Sequence, residues 1–191
     1  MFWSPTAGGV RRYLEAKHQW FGALPSWRHT IAAPVATAPD MAKLPALPLP
    51  GSKGYRVPLQ RRALARALAA LEPSLIEAGD PYRLAWATLD VAYDFGIPSI
   101  AFCHSNIELL ARRLAGPHWG RTVARWARRY ARHVYGNFDL VLAPSEAMRA
   151  ATSGQKTAFA PARCTRMKKR PKPQPANTAR PRPSRAPDAT P

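Results

Sequence analysis

The spacing of apolar residues between positions 73 and 105 predicts a strand, a helix and a second strand. Leu75 and Ile76 form a short apolar run, and the turn residues Gly79, Asp80 and Pro81 follow it. Apolar positions then recur every three or four residues, which is typical of an amphipathic helix: Leu84, Ala85, Thr88, Leu89, Ala92 and Phe95. The nearly continuous apolar run 97–102 predicts a buried parallel strand that ends at His104.

The same patterns predict further elements on both sides of this unit. Helices are expected at 7–24, 59–71, 107–114 and 118–135, and strands at 27–34 and 138–143, with Ser145 as the N-cap of a helix that begins at Glu146. The Pro- and Gly-rich stretch 35–58 is expected to be a long surface connection. This alternation predicts an α/β fold with a doubly wound, mostly parallel, Rossmann-like sheet. Ligands of such sheets bind at the carboxyl ends of the strands, where Glu77 and His104 fall.

The helix predicted at 118–135 has two contrasting faces. Large apolar residues recur along one face: Trp119, Val123, Trp126, Tyr130 and Val134. Arginines recur along the other: Arg121, Arg125, Arg128 and Arg132. An arginine face of this kind is most often simply solvated, and the alternative is contact with anionic lipid headgroups.

Charge and composition separate a body from a tail. Residues 1–151 are predicted to form one domain, and residues 152–191, rich in proline and basic residues, a disordered tail. About half of the formal net charge of +18 lies in that tail. Basic charge on a disordered segment attracts any polyanion without regard to sequence, so a nucleic-acid-binding protein without catalysis remains an alternative, although no specific nucleic-acid partner is predicted.

The cysteines and the apolar runs bear on compartment and chemistry. Cys103 falls in a predicted strand and Cys164 in the tail, a pattern that provides neither a disulfide framework nor a metal cluster. No apolar run reaches the roughly 20 residues of a membrane-spanning helix, and the first residues lack the pattern of a secretion signal. We therefore expect a cytoplasmic protein without a metal or cofactor. The sequence also lacks a G-x-G-x-x-G motif, which argues against an enzyme that binds a dinucleotide.

Four segments carry a family resemblance: FWSPTAGGVRRYLEAK, LIEAGDPYRLAW, IPSIAFCHS and FDLVLAPSEAM. In this order they resemble the amino-terminal domain of glycosyltransferase family 4, whose members have the GT-B fold of two facing Rossmann-like domains. The resemblance runs from about Phe2 to about Arg149. It implies transfer of a sugar from a nucleotide-sugar donor to a carbohydrate or lipid-linked acceptor, with retention of configuration and without an obligatory metal. It is also compatible with peripheral contact at the inner face of a membrane.

The resemblance also implies roles for individual residues. His104 corresponds to the histidine at the floor of the family's cleft and is the predicted catalytic residue. Residues predicted to bind the acceptor or a phosphate are Gly8, Gly9, Val10, Arg11, Glu77, Asp80, Tyr82 and Ser105. Glycine permits close approach and a helix amino terminus favours negative charge, which supports the role of the Gly8-Gly9 turn. The alternatives are a plain loop or helix start at Gly8-Gly9, a satisfied polar residue at His104 and a helix N-cap at Asp80.

The sequence also departs from the family pattern. The donor-binding domain is not present in these residues, the first strand is expected to lie partly before Phe2, and the composition after Ala151 suggests a shifted reading frame. We therefore expect a chain truncated at both ends, either inactive without its donor half or a non-functional remnant.

Overall fold

The computed structural model describes residues 8–48, 50–51, 56–145, 148–149 and 157–159, which form five helices and eight strands. The helices are α1 (Gly9–Gly22), α2 (Arg61–Ala69), α3 (Arg83–Phe95), α4 (Ile107–Leu114) and α5 (Gly116–Tyr135). The strands are β1 (Ile31–Ala33), β2 (Met41–Lys43), β3 (Leu47–Pro48), β4 (Arg56–Val57), β5 (Ile76–Ala78), β6 (Ser99–Phe102), β7 (Leu140–Ala143) and β8 (Thr157–Phe159).

The largest sheet is parallel throughout and has the order β5-β6-β7-β8. Glu77 of β5 is in register with Ile100 of β6, and Ala101 of β6 with Val141 of β7. Two smaller sheets pair β1 with β2 in parallel and β3 with β4 antiparallel. The predicted α/β class and the mostly parallel strands are confirmed, and they match one Rossmann-like half.

The strand-helix-strand unit forms where the apolar pattern predicts it. Helix α3 buries Ala85, Thr88 and Leu89 and ends at Gly96, whose φ of 64° is the left-handed conformation that glycine adopts without strain. At the start of β6, buried Ser99 donates through its Oγ to Asp139 Oδ2 at 2.8 Å, which ties β6 to the residue before β7. These contacts fix the strand that leads to His104.

Two predictions for residues 27–58 were wrong in detail. The predicted strand 27–34 is reduced to β1, because Trp27 lies exposed before it. The predicted surface connection contains β2, β3 and β4, and its Leu44 is only 1% exposed. The Leu44 N–H donates to the Ala33 carbonyl at 2.8 Å, so this connection is anchored to β1 and contributes to the core.

The predicted apolar face of α5 is buried only at its carboxyl end, at Val134. Trp119 and Trp126 are 70% and 69% exposed, whereas the smaller Gly120 and Ala124 are buried. A Cβ atom on Gly120 would lie 2.8 Å from the Arg112 carbonyl oxygen of α4. The two helices therefore approach through small residues, and the large side chains of α5 lie at the surface.

The ends of the chain fall only partly within the described residues. Strand β8 lies in the stretch that the sequence pattern assigns to the tail, so the sheet extends beyond Ala151. The rest of the predicted tail, and the strand expected near Phe2 and Trp3, lie outside the described residues. Ser145 Oγ accepts from the Met148 N–H at 3.3 Å, as expected of an N-cap. Among the described helices, none has the length and hydropathy needed to cross a bilayer.

Candidate functional site

Helix α1 brings the ends of β5 and β6 together. The ring of Tyr13 lies 4.3 Å from that of Phe102 and meets His104 edge-on at 5.5 Å, measured between ring centroids. The Tyr13 hydroxyl also donates to Glu77 Oε1 at 3.4 Å. Glu77 and His104, predicted from separate strands, thus share Tyr13 as a neighbour at the carboxyl edge of the sheet, which we call the crevice.

A partly buried ion pair occupies the β5 side of this crevice. Lys17, one turn after Tyr13 on α1, donates to the Glu77 carboxylate and also to the Tyr13 hydroxyl at 3.4 Å. Burial and the neighbouring Glu77 raise the pKa of Tyr13 well above its ordinary value, so its hydroxyl stays protonated. The crevice therefore contains a fixed cation, a carboxylate and a neutral phenol within contact of one another.

His104 lies on the β6 side with one ring nitrogen unused. Its backbone N–H donates to the Phe102 carbonyl at 3.1 Å, and its ring lies 4.1 Å from that of Phe102. The Nε2 atom is buried and has no hydrogen-bond partner among the described residues. Burial and the charge of Lys17 lower the pKa of His104 to about 4, so the imidazole is neutral near pH 7. A neutral imidazole can donate or accept one hydrogen bond at that nitrogen, depending on its tautomer.

Gly79 makes room for this imidazole. A Cβ atom added to Gly79 would lie 3.2 Å from His104 Nε2 and 3.4 Å from Cδ2, closer than ordinary packing allows. The absence of a side chain at Gly79, directly after β5, therefore leaves the space that the imidazole of His104 occupies.

The predicted glycine turn forms the start of α1. Gly8 occupies the N-cap position without a side-chain cap, and space is open around the Cα atoms of Gly8 and Gly9. Tyr13 is about one turn further along, so this terminus lies roughly 6 Å from the crevice along the helix axis. Val10 is half-buried, and Arg11 pairs with Glu15 at 2.6 Å on the same helix.

The loop between β5 and α3 shows that the alternative role of Asp80, as the N-cap of α3, was wrong. Tyr82, not Asp80, occupies the N-cap position of α3, and Asp80 Oδ1 accepts from the Tyr82 N–H at 3.0 Å. Asp80 is only 4% exposed. A carboxylate so deeply buried is better placed to stabilise its own loop than to contact a ligand. Tyr82 is half-buried, and burial followed by the nearby Asp80 raises its pKa.

Ser105 follows His104 and is half-buried at the entry to α4. Its carbonyl accepts a long hydrogen bond from Cys103 Sγ at 3.7 Å. The next residue, Asn106, caps α4 by accepting the Leu109 N–H at 3.0 Å. The chain leaving β6 is thus held on both sides of Ser105.

Sequence reasoning missed Tyr13, Lys17 and Gly79 as members of the site. The available signal was the spacing of four between Tyr13 and Lys17, which places both on one face of α1. That they face Glu77 depends on how α1 packs, which the spacing alone does not give. Within the described part of the chain, no three His, Cys, Asp or Glu side chains are grouped so that they could hold a metal ion.

The arrangement can bind a polyhydroxylated or phosphorylated molecule. The carboxylate, the ammonium, the phenol and the imidazole together offer donors and acceptors, and the α1 terminus offers N–H groups to an anion. A family model described as Glycosyltransferase Family 4 matches residues 7–164. No curated protein matches the chain.

Proposed function

Because the chain belongs to glycosyltransferase family 4, we propose that it supplies the acceptor-side domain of a GT-B enzyme that transfers a sugar from a nucleotide sugar to an acceptor. Transfer proceeds with retention of anomeric configuration. The bond between the anomeric carbon and the leaving phosphate oxygen breaks, the acceptor oxygen bonds to the same face, and the acceptor proton leaves with the phosphate. The observation that carries the proposal is the buried Nε2 of His104, just after the carboxyl end of β6, which has no hydrogen-bond partner within the described part of the chain.

His104 acts in this proposal as a neutral hydrogen-bonding group. A buried nitrogen without a partner is unfavourable in the unbound protein, and a sugar hydroxyl placed against it restores the missing hydrogen bond. A charged imidazole is disfavoured there by burial and by Lys17, which supports hydrogen bonding rather than proton donation from an imidazolium. His104 thereby orients the reacting sugar and stabilises charge that develops as the phosphate departs.

Glu77 contacts the acceptor in the proposed complex. A carboxylate accepts several hydrogen bonds, so Glu77 can bind an acceptor hydroxyl while it keeps its contacts with Lys17 and Tyr13. In the proposed complex Tyr82 and Ser105 contribute hydroxyls to the acceptor, while Asp80 shapes the loop that carries Tyr82. The turn from Gly8 to Arg11 faces the phosphates of the donor through the open start of α1.

We also propose that the protein works peripherally at the cytoplasmic face of a membrane. The exposed Trp119 and Trp126 support this, because arginine residues accompany them along α5. Amphipathic helices that combine exposed tryptophan with arginine bind the interface of anionic bilayers without crossing them.

Turnover of nucleotide sugars tests the transfer proposal. The chain is combined with the donor-binding half of the enzyme and offered UDP-glucose, UDP-galactose and GDP-mannose with lipid and sugar acceptors. Acceptor-dependent release of nucleoside diphosphate from at least one donor, with the anomeric configuration of the product retained, is the expected result. No acceptor-dependent release from any nucleotide sugar would count against the proposal.

A further inference from the structure

A second concave surface lies between α4 and α5. This groove has a volume of about 440 Å³, within the range of roughly 300–1,000 Å³ found for ligand sites. Helix α4 lines it with Ile107, Leu110 and Leu114, and helix α5 with Val123, Trp126 and Tyr130. None of its lining residues is charged, so a ligand here is bound through apolar contact.

The groove holds apolar side chains in contact with water. Leu114 and Trp126 are 79% and 69% exposed, and Leu110 and Val123 are also exposed beside them. Removing such contiguous apolar surface from water is favourable in proportion to its area, and patches of this kind mark binding sites. The groove is therefore suited to an apolar ligand.

One end of the groove reaches the loop that joins β5 to α3. Tyr82 lines the groove and belongs to the loop after β5, and the Tyr130 hydroxyl donates to the Pro81 carbonyl of that loop at 2.7 Å. Ile107, on the other wall, follows His104 by three residues. A molecule lying along the groove can thus have one end at the crevice.

Basic side chains run beside the groove. Trp126 forms a wall of the groove and also borders a shallow surface lined by Arg125, Arg128, Arg129 and Arg132. Guanidinium groups are well suited to phosphate, and the adjacent groove is suited to hydrocarbon. The combination matches an anionic lipid better than an apolar protein segment, which would gain nothing from the arginines.

We propose that the α4–α5 groove holds the hydrocarbon chain of the acceptor, which is an anionic amphiphile with its polar head at Glu77 and His104. This inference rests on the proposed sugar transfer and specifies the acceptor as a lipid. The arginines beside Trp126 contact the phosphate of the acceptor or of its neighbours in the bilayer.

Two adjacent leucines provide a matched test in the full chain. Leu110 lines the groove and Leu109 does not, although they are 43% and 45% exposed on the same helix. Binding is measured by calorimetry with myristoyl lysophosphatidylglycerol below its critical micelle concentration, and with glycerophosphoglycerol, which has the same charge and no chain. We expect the unmodified protein to bind the lysolipid at least tenfold more tightly than the headgroup. Leu110→Asp should remove most of this difference in affinity, whereas Leu109→Asp should change it less than twofold.

A second variant separates a loss of lysolipid binding from a loss of folding. Ala111→Trp fills the groove with an apolar side chain. It should therefore weaken lysolipid binding as strongly as Leu110→Asp does. Its circular dichroism spectrum and thermal unfolding should stay close to those of the unmodified protein. Equal affinity for lysolipid and headgroup, or equal losses at positions 109 and 110, would overturn the proposal. A failure of the sugar-transfer proposal gives a different result. In that case His104→Ala leaves turnover unchanged, while the two leucine variants still differ in their affinity for the lysolipid.

Discussion

His104 Nε2 lies 3.2 Å from the point that a Cβ atom would occupy on Gly79. The space that the glycine leaves lets the imidazole lie against Phe102 with this nitrogen buried and without a partner among the described residues. The relationship joins the residues that follow two neighbouring strands, because Gly79 comes directly after β5 and His104 two residues after β6.

Gly79→Ala is expected to displace the imidazole with little effect on the fold. The backbone of Gly79 lies outside the left-handed region, so alanine fits there without backbone strain, and the conflict is confined to His104. We expect transfer to fall at least tenfold while the free energy of unfolding changes by about 1 kcal/mol or less. Kinetics and urea unfolding measure the two effects. Gly22→Ala, which meets no atom within 4 Å, serves as the control and should leave transfer unchanged.

The pKa of His104 predicts a specific loss of stability in acid. It is lowered to about 4, whereas an unfolded histidine titrates near 6.5. Between these values the unfolded state binds more protons, so the contribution of His104 to stability is fully present above about pH 6.5 and is lost as the pH falls toward 4.

The magnitude of this loss is checked against a variant without the titrating group. From pH 7 to pH 4, the free energy of unfolding of the unmodified protein should fall by about 3 kcal/mol more than that of His104→Gln. Urea unfolding at a series of pH values measures both. Parallel pH dependences in the two proteins would show that His104 is not buried as described.

The Lys17–Glu77 pair is expected to couple the two side chains energetically. The pair is neither fully exposed nor fully buried, so its coupling in a double-mutant cycle should be about 1–3 kcal/mol. Lys17→Met, Glu77→Gln and the double variant complete the cycle, measured by urea unfolding. Because the charge of Lys17 contributes to the low pKa of His104, Lys17→Met should also raise that pKa in an NMR titration. Additive stability effects together with an unchanged histidine titration would contradict this arrangement.

Gly120→Ala tests the close approach of α4 and α5. Its new methyl group would lie 2.8 Å from the Arg112 carbonyl oxygen, which is backbone and cannot rotate away. We expect a loss of about 1–3 kcal/mol in the free energy of unfolding, in spite of the higher helix propensity of alanine. Thermal unfolding measures it, and a stability equal to or above that of the unmodified protein would mean that the helices lie further apart.

Much of the fold was predictable because the unit from Leu75 to His104 carries strong local signals. Its helix alternates apolar and polar residues at the right period, and Gly96 ends it as the left-handed cap that only a glycine adopts easily. The short strands between residues 41 and 57 were not predicted, since two or three residues do not establish a period of two and the proline-rich composition favours a loop.

The burial of α5 could not be predicted from its pattern. The stripe of Trp119, Val123 and Trp126 has the spacing of a core face, yet these residues are exposed and α4 approaches α5 most closely at Gly120. Local periodicity identifies two faces but not which neighbour covers them. The same limit applies to the site: Glu77 and His104 follow from the parallel sheet, whereas Tyr13 and Lys17 enter through the packing of α1.

The effect of His104→Ala on turnover tests the central claim most directly. The variant is assayed with the nucleotide sugar that the complete enzyme turns over, with folding checked by circular dichroism. If His104 contacts the reacting sugar through Nε2, kcat should fall by about 100-fold or more while the fold is retained. A kcat within about threefold of the unmodified enzyme would place the reacting sugar away from His104 and contradict the proposed site.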